Sequence, residues 1–249
     1  MREKGQITLF IIIGFVLLIV VGVTLILVRN VNKVTNNAEI GEGTSLQEFV
    51  ETCIEEVAIP AVLLQGLQGG YIFAIDDSFS LEDRSYKVSL LYNQGVDNVP
   101  DRERLQNEIN AYININLNNC LGGLESFERM GYQVDVGEII TDSIVGIDDI
   151  QIKVTYPITL TQGDQQETMD EFSATVPIRL GHLNDLSREF IDRFIENPGK
   201  IDINMPAGFD VDVTSIPYSE DTIIYSFYDE KSNIRDQRYV FLFATRTLR

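Results

Sequence analysis

Ile150–Leu180 reads IQIKVTYPITLTQGDQQETMDEFSATVPIRL. Apolar and polar residues alternate from Ile150 to Leu160 and again from Glu167 to Leu180, with Gln162-Gly163-Asp164-Gln165 between them. A period of two is the signature of a strand with one buried face, and the Gly-Asp pair marks a hairpin turn. This stretch therefore predicts an antiparallel sheet. Pro157 and Pro177 lie inside these segments, and proline cannot donate to a ladder, so they predict an edge position or a bulge.

Working outward, the same period predicts strands at Tyr132–Ile140 and Ser143–Ile147 on the N-terminal side. On the C-terminal side it predicts Phe209–Val213, Thr222–Tyr228 and Tyr239–Thr245, the last two flanking a connection at Asp229–Gln237. Two shorter strands are expected earlier, at Tyr71–Ile75 and Lys87–Tyr92, followed by a loop from Gly95 to Pro100. Three helices interleave. The first starts at Ser45, which forms a capping box with Glu48, and carries Leu46, Phe49, Val50, Cys53, Ile54 and Val57 on one face. Pro60 should kink or interrupt it. The second runs from Asp101 to about Leu121 with a stripe of Leu105, Ile109, Tyr112, Ile113, Leu117, Cys120 and Leu121. The third runs from Asn184 to Glu196, with Leu186, Phe190 and Phe194 inward, and Asn197-Pro198-Gly199 ends it. The class is α+β with a mostly antiparallel sheet and about three helices, as one domain over 44–249 or as two packed lobes divided near Gly131.

The N-terminal part is different in kind. Ile7–Val28 is 22 residues without a charge. As a helix it would be about 33 Å long, enough to cross a hydrocarbon layer of roughly 30 Å. A secretory signal has a shorter apolar stretch and a small-x-small site, which Val28-Arg29-Asn30 does not supply. Residues 1–28 thus read as a signal anchor and single transmembrane helix, 29–43 as a polar stalk. The chain's net charge is −19, and setting aside Arg2, Glu3 and Lys4 leaves −20 for the remainder. The short amino terminus is placed inside the cell and the acidic body outside. Gly14 and Gly22 lie near one helix face, where small residues let a second helix approach. The implied partners are membrane lipid and protein partners, or further copies of this chain, through the N-terminal helix.

Nucleic acid is excluded as a partner, because its recognition rests on Lys and Arg neutralising phosphates and here Asp and Glu number 38 against 19. A glycine-rich phosphate loop and a GxSxG elbow are absent, and no cofactor is expected. Cys53, Cys120 and the single histidine, His182, are too few and too scattered for a structural zinc site. A Cys53–Cys120 disulfide would stabilise by about 4 kcal/mol. Two buried thiols remain the alternative. Asp210 and Asp212, with Glu220 and Asp221 in the following loop, are the calcium candidates, set against a plain solvated acidic surface.

Arg2-Glu3-Lys4-Gly5-Gln6-Ile7-Thr8-Leu9-Phe10 with Ile11-Ile12-Ile13-Gly14 resembles the amino terminus of archaeal type IV pilin-like proteins with class III signal peptides. The resemblance covers the first 28 residues. It implies peptidase cleavage between Gly5 and Gln6, with the apolar helix retained and packed in a filament core. One departure stands out: bulk pilins carry Glu at the fifth mature position, and this chain has Phe10; minor subunits of such filaments can lack the Glu, and so can proteins that merely use a similar anchor. Cys53 to Tyr71, running on into LQGLQGGYIF, resembles membrane-anchored archaeal proteins of unknown role. The reading is a membrane-anchored structural or interaction protein at the cell surface, not an enzyme. The alternatives are an anchored ligand-binding or adhesion module and an anchored hydrolase.

Overall fold

A computed structural model describes residues 45–81, 84–196, 208–234 and 237–247. The expected anchor, stalk, cleavage site at Gly5 and Gln6, helix-packing glycines Gly14 and Gly22, and the Asn197-Pro198-Gly199 stop lie outside them. Among the described residues no helix is long and apolar enough to cross a membrane.

Helix α1 spans Leu46–Leu67, and the Ser45 hydroxyl caps it by accepting the Glu48 N–H at 3.2 Å. It continues through Pro60 without interruption. Pro60 lies on the exposed side, so its ring meets solvent, and the lost hydrogen bond is outweighed by burial of Val50, Ile54, Val57, Ala58, Ala61 and Val62 on the opposite face. Helix α2, Arg102–Leu121, is capped by Asp101, whose carboxylate accepts the Arg104 N–H at 2.7 Å. It packs along α1, and Cys53 and Cys120 join the two in a disulfide with Cα atoms 5.6 Å apart. A single short turn, α3 (Glu125–Arg129), follows.

The end of α1 explains the LQGLQGG motif. Gln65 and Gln68 are both buried, and their side chains serve the backbone that turns away from the helix. Gln65 Nε2 donates to the carbonyls of Gly70 and Leu105, and Gln68 Nε2 to those of Tyr71 and Ile72. Gln68 Oε1 accepts the Lys87 N–H at 2.9 Å. Gly66 lies against Tyr239, and a Cβ there would fall 2.5 Å from the phenol oxygen. The strand expected at Tyr71–Ile75 does not form. The N–H groups of Ile72 and Phe73 donate instead to the buried Glu108 carboxylate on α2, so this backbone is satisfied without a ladder.

Among the described residues, ten strands make two sheets. β1 (Ser78–Ser80), β2 (Lys87–Asn93), β3 (Val96–Asp97), β8 (Asp212–Pro217), β9 (Thr222–Ile234) and β10 (Gln237–Arg246) form one, in the order β1-β2-β10-β9-β8 with β3 beside β2. All its pairs are antiparallel except β10 with β2. The last two strands outrun their expected limits and take up most of the predicted 229–237 connection. One face of this sheet carries Tyr225, Phe227, Phe241 and Phe243, with Phe190 of α4 (Leu180–Glu196) set 4.6–5.8 Å from three of these rings. Edge-to-face pairs of this kind add about 0.5–1.5 kcal/mol each beyond burial. Val88, Leu90, Ile224, Leu242 and Ala244 form a second cluster under Phe79, Leu81 and Tyr86.

The other sheet is antiparallel throughout. β6 (Ile150–Gln162) is its centre, with β7 (Gln165–Val176) on one side and β4 (Gln133–Val136) and β5 (Ile140–Val145) end to end on the other. Gly163 turns the β6–β7 hairpin at φ 61°. Pro157 is accommodated by a register shift between Thr155 and Ile158, and the Gly137 N–H bonds its carbonyl at 2.7 Å. Pro177 lies just past the end of β7. The two-lobe alternative with a division near Gly131 is not realised. Residues 45–249 form one unit, because α1 packs against both β7 and β10.

Candidate functional site

Two features stand out from the core. The first is a charge cluster where β7 hands over to α4. Val176-Pro177 ends the strand, and the Arg179 carbonyl accepts the Leu183 N–H to start the helix. Arg179 falls in an otherwise apolar buried run, Ile178 to Leu180. Its guanidinium grips Asp229 of β9 with two bonds, Nε to Oδ2 at 2.9 Å and Nη2 to Oδ1 at 2.8 Å. Its Nη1 donates to Asp210 Oδ2 at 2.9 Å. Lys231 Nζ reaches the same Asp210 oxygen at 2.8 Å, and His182 Nε2 lies 2.6 Å from Asp210 Oδ1. Ser232 Oγ donates to Asp229 and accepts the Arg179 N–H.

The electrostatics follow from this geometry. The Asp229 side chain is fully buried, and Arg179 is 10% exposed. Burial pushes the Asp229 carboxyl up, but bonds from Arg179, Ser232 and the Lys231 amide outweigh it and leave it below the usual range. Arg179, then Lys231, hold Asp210 far below the ordinary carboxylate value. The bond to Asp229 keeps Arg179 charged at any accessible pH. A carboxylate held by an arginine, a lysine and a histidine is fixed as an anion, so it makes a clamp on the segment entering β8, not a proton acceptor. His182, expected just ahead of a helix, sits within the first turn of α4 and directs its imidazole to this clamp.

The calcium candidates do not converge. Asp210 is engaged with Arg179, Lys231 and His182, and Arg238 lies 3.6 Å from Asp212. Glu220 and Asp221 stand at the other end of β8, since Asp212 pairs with Tyr228 and Pro217 with Ile223. Six strand residues separate them, about 20 Å. Asp221 there accepts from Ser219 and Thr222. Among the described residues no group of three or more His, Cys, Asp or Glu side chains is placed to hold a metal ion. Of the two cysteine readings, the disulfide is the one the structure shows.

The second feature is the outward face of the β5–β6–β7 sheet. An open groove of about 560 Å³ runs across it, lined by Asp142, Ile144, Gln151, Lys153, Glu171 and Thr175 among others. Lys153 Nζ pairs with Glu171 at 2.8 Å across its floor. Sequence reasoning missed both features. An arginine in an apolar register was a readable sign of the first, but its partner is 50 residues away.

No protein-family model, no curated protein and no solved structure matches this chain.

Proposed function

We propose that this chain is a membrane-anchored extracytoplasmic interaction protein, with its acidic α+β body displayed outside the cytoplasmic membrane and no chemistry of its own. The observation that carries the reading is the uncharged run Ile7–Val28 ahead of a body cross-linked by Cys53–Cys120. Disulfides persist in oxidising surroundings, and a run of this length is the one a bilayer requires. The charge cluster supports binding over catalysis, because both of its carboxylates are committed to cations. The finer reading is a minor subunit of a pilin-like filament or surface complex. Its support is the Arg2–Gly14 stretch, whose resemblance implies cleavage between Gly5 and Gln6. The groove on the second sheet favours the second reading, an anchored module that binds a ligand or adheres.

Fractionation of the untagged full chain, with external protease added to intact cells, tests the placement. The body is digested from outside and the remnant stays in the membrane pellet. Recovery of intact chain in the cytosol refutes the proposal. Mass spectrometry of the mature amino terminus separates the finer readings: Gln6 supports the pilin route, and Met1 a plain anchor.

A further inference from the structure

The Cys53–Cys120 bond lies where negative charge is poorly accommodated. Cys53 is 3% exposed on α1, on the same buried face as Val50, Ile54 and Val57. Cys120 is half-buried in the last turn of α2. That end of a helix carries the partial negative charge of its free carbonyls, and the turn holds no Lys or Arg to offset it. Glu56, one turn beyond Cys53, sets its Oε2 3.9 Å from Cys120 Sγ. The sulfur of a disulfide has no proton to donate, so this is a full charge resting against it. Among the described residues no Lys, Arg or His forms an ion pair with Glu56. Disulfides that exchange readily have the opposite surroundings, a helix N-terminus or a neighbouring cation that stabilises thiolate.

Reduction by an external thiol shows what these surroundings do. Burial of Cys53 leaves Cys120 Sγ as the sulfur open to attack. The reductant's thiolate bonds Cys120 Sγ, the Cys53–Cys120 bond breaks, and its electron pair leaves on Cys53 Sγ. A second thiolate attacks the reductant's sulfur in that mixed disulfide and releases Cys120. Both protein thiolates take protons from water, and the reductant departs as its own disulfide. The first step meets two obstacles. An anion must come up to a sulfur already faced by the Glu56 carboxylate, and the leaving thiolate forms in apolar surroundings, which makes it a poor leaving group.

We propose that Glu56 is a charge guard on this bond: it repels the thiolate that must approach Cys120, anionic reductants above all, and makes the cross-link between α1 and α2 a permanent lock in place of a redox switch. The inference goes beyond the reading of the chain as an interaction protein and does not depend on the anchor.

The test reduces the folded full chain, in a neutral detergent at pH 8, with 2-mercaptoethanesulfonate or with cysteamine, and follows released thiols by the gel shift of a maleimide polymer. Two unit charges about 4 Å apart in water repel by enough for roughly a fivefold rate factor. Glu56→Gln should therefore speed reduction by the sulfonate thiol about fivefold. With cysteamine, whose ammonium the carboxylate attracts, the gain should stay below about twofold, and cysteamine on the same variant also reports any loosening of the fold. Raising salt should narrow the gap between wild type and variant with the sulfonate thiol. Glu55→Gln, the same charge change one residue away, should leave both rates within about twofold. Acid-quenched intermediates should carry the reductant on Cys120. Four outcomes overturn the proposal: unchanged rates in Glu56→Gln, an acceleration equal for both thiols, the same acceleration in Glu55→Gln, or a mixed disulfide on Cys53.

Discussion

Replacing Cys53 and Cys120 together by alanine removes a cross-link between residues 67 positions apart. In the chain-entropy treatment a closed loop of that size restricts the unfolded chain by roughly 15 cal/mol/K, which is about 4 kcal/mol at room temperature. Domain stabilities are about 5–15 kcal/mol, so the disulfide supplies a large share of the total. Because the two thiols already sit on packed helices, the double substitution removes little native contact. The loss therefore comes through the unfolded state. Urea unfolding of the full chain in mild detergent, followed by far-ultraviolet circular dichroism, should show a stability lower by about 4 kcal/mol. The slope with urea should be steeper, since the uncross-linked unfolded chain exposes more surface. The melting point should fall by about 8–16 °C. A change below about 1 kcal/mol, or an unchanged slope with the whole loss in the unfolding rate, would refute the entropic reasoning.

Asp229→Ala leaves the Arg179 guanidinium buried with one partner fewer, and should cost about 3–5 kcal/mol in the same assay. The double change Arg179→Met/Asp229→Leu should cost clearly less than the sum of the two single ones. Asp210 binds its proton more weakly folded than unfolded, so its contribution is complete above about pH 4, the unfolded value, and fades as pH falls toward its depressed folded value. Asp210→Asn should flatten the acid limb of stability against pH, and an unaltered limb would contradict the clamp. Gly66→Ala drives a methyl into the Tyr239 hydroxyl and the Val240 carbonyl and should cost about 1–3 kcal/mol by urea midpoint. Pro60→Ala restores a backbone donor on the exposed side of α1 and should raise the midpoint.

What could be read from the chain alone were the parts whose physics is local. The β6–β7 hairpin followed from alternation about Gly163, the start of α1 from Ser45 with Glu48, and the second helix from its 3.6-residue stripe. Both cysteines fell on inward stripes, which allowed a bridge without requiring one. The failures share a cause: a partner distant in sequence. Tyr71–Ile75 looks like a strand until Glu108, 36 residues on, takes its N–H groups. Asp229-Glu230-Lys231 looks like a loop until Arg179 makes Asp229 a buried strand residue. Period two locates β5 but does not say which of its faces is wet, and only the polar partners on α2, Asn114 for Thr141 and Gln106 for Ser143, decide that.

β10 lies between β2 and β9, and the strand it meets in parallel precedes it by roughly 150 residues. It is also the last of the described strands to be synthesised. Until it emerges, β2 lacks a neighbour along one edge and the aromatic layer lacks Phe241 and Phe243. Wide sequence separation of this kind slows closure and leaves edges bare in the meantime. A nascent chain of this topology stays unlatched until β10 emerges, and its sheet locks only once the β9–β10 hairpin is delivered.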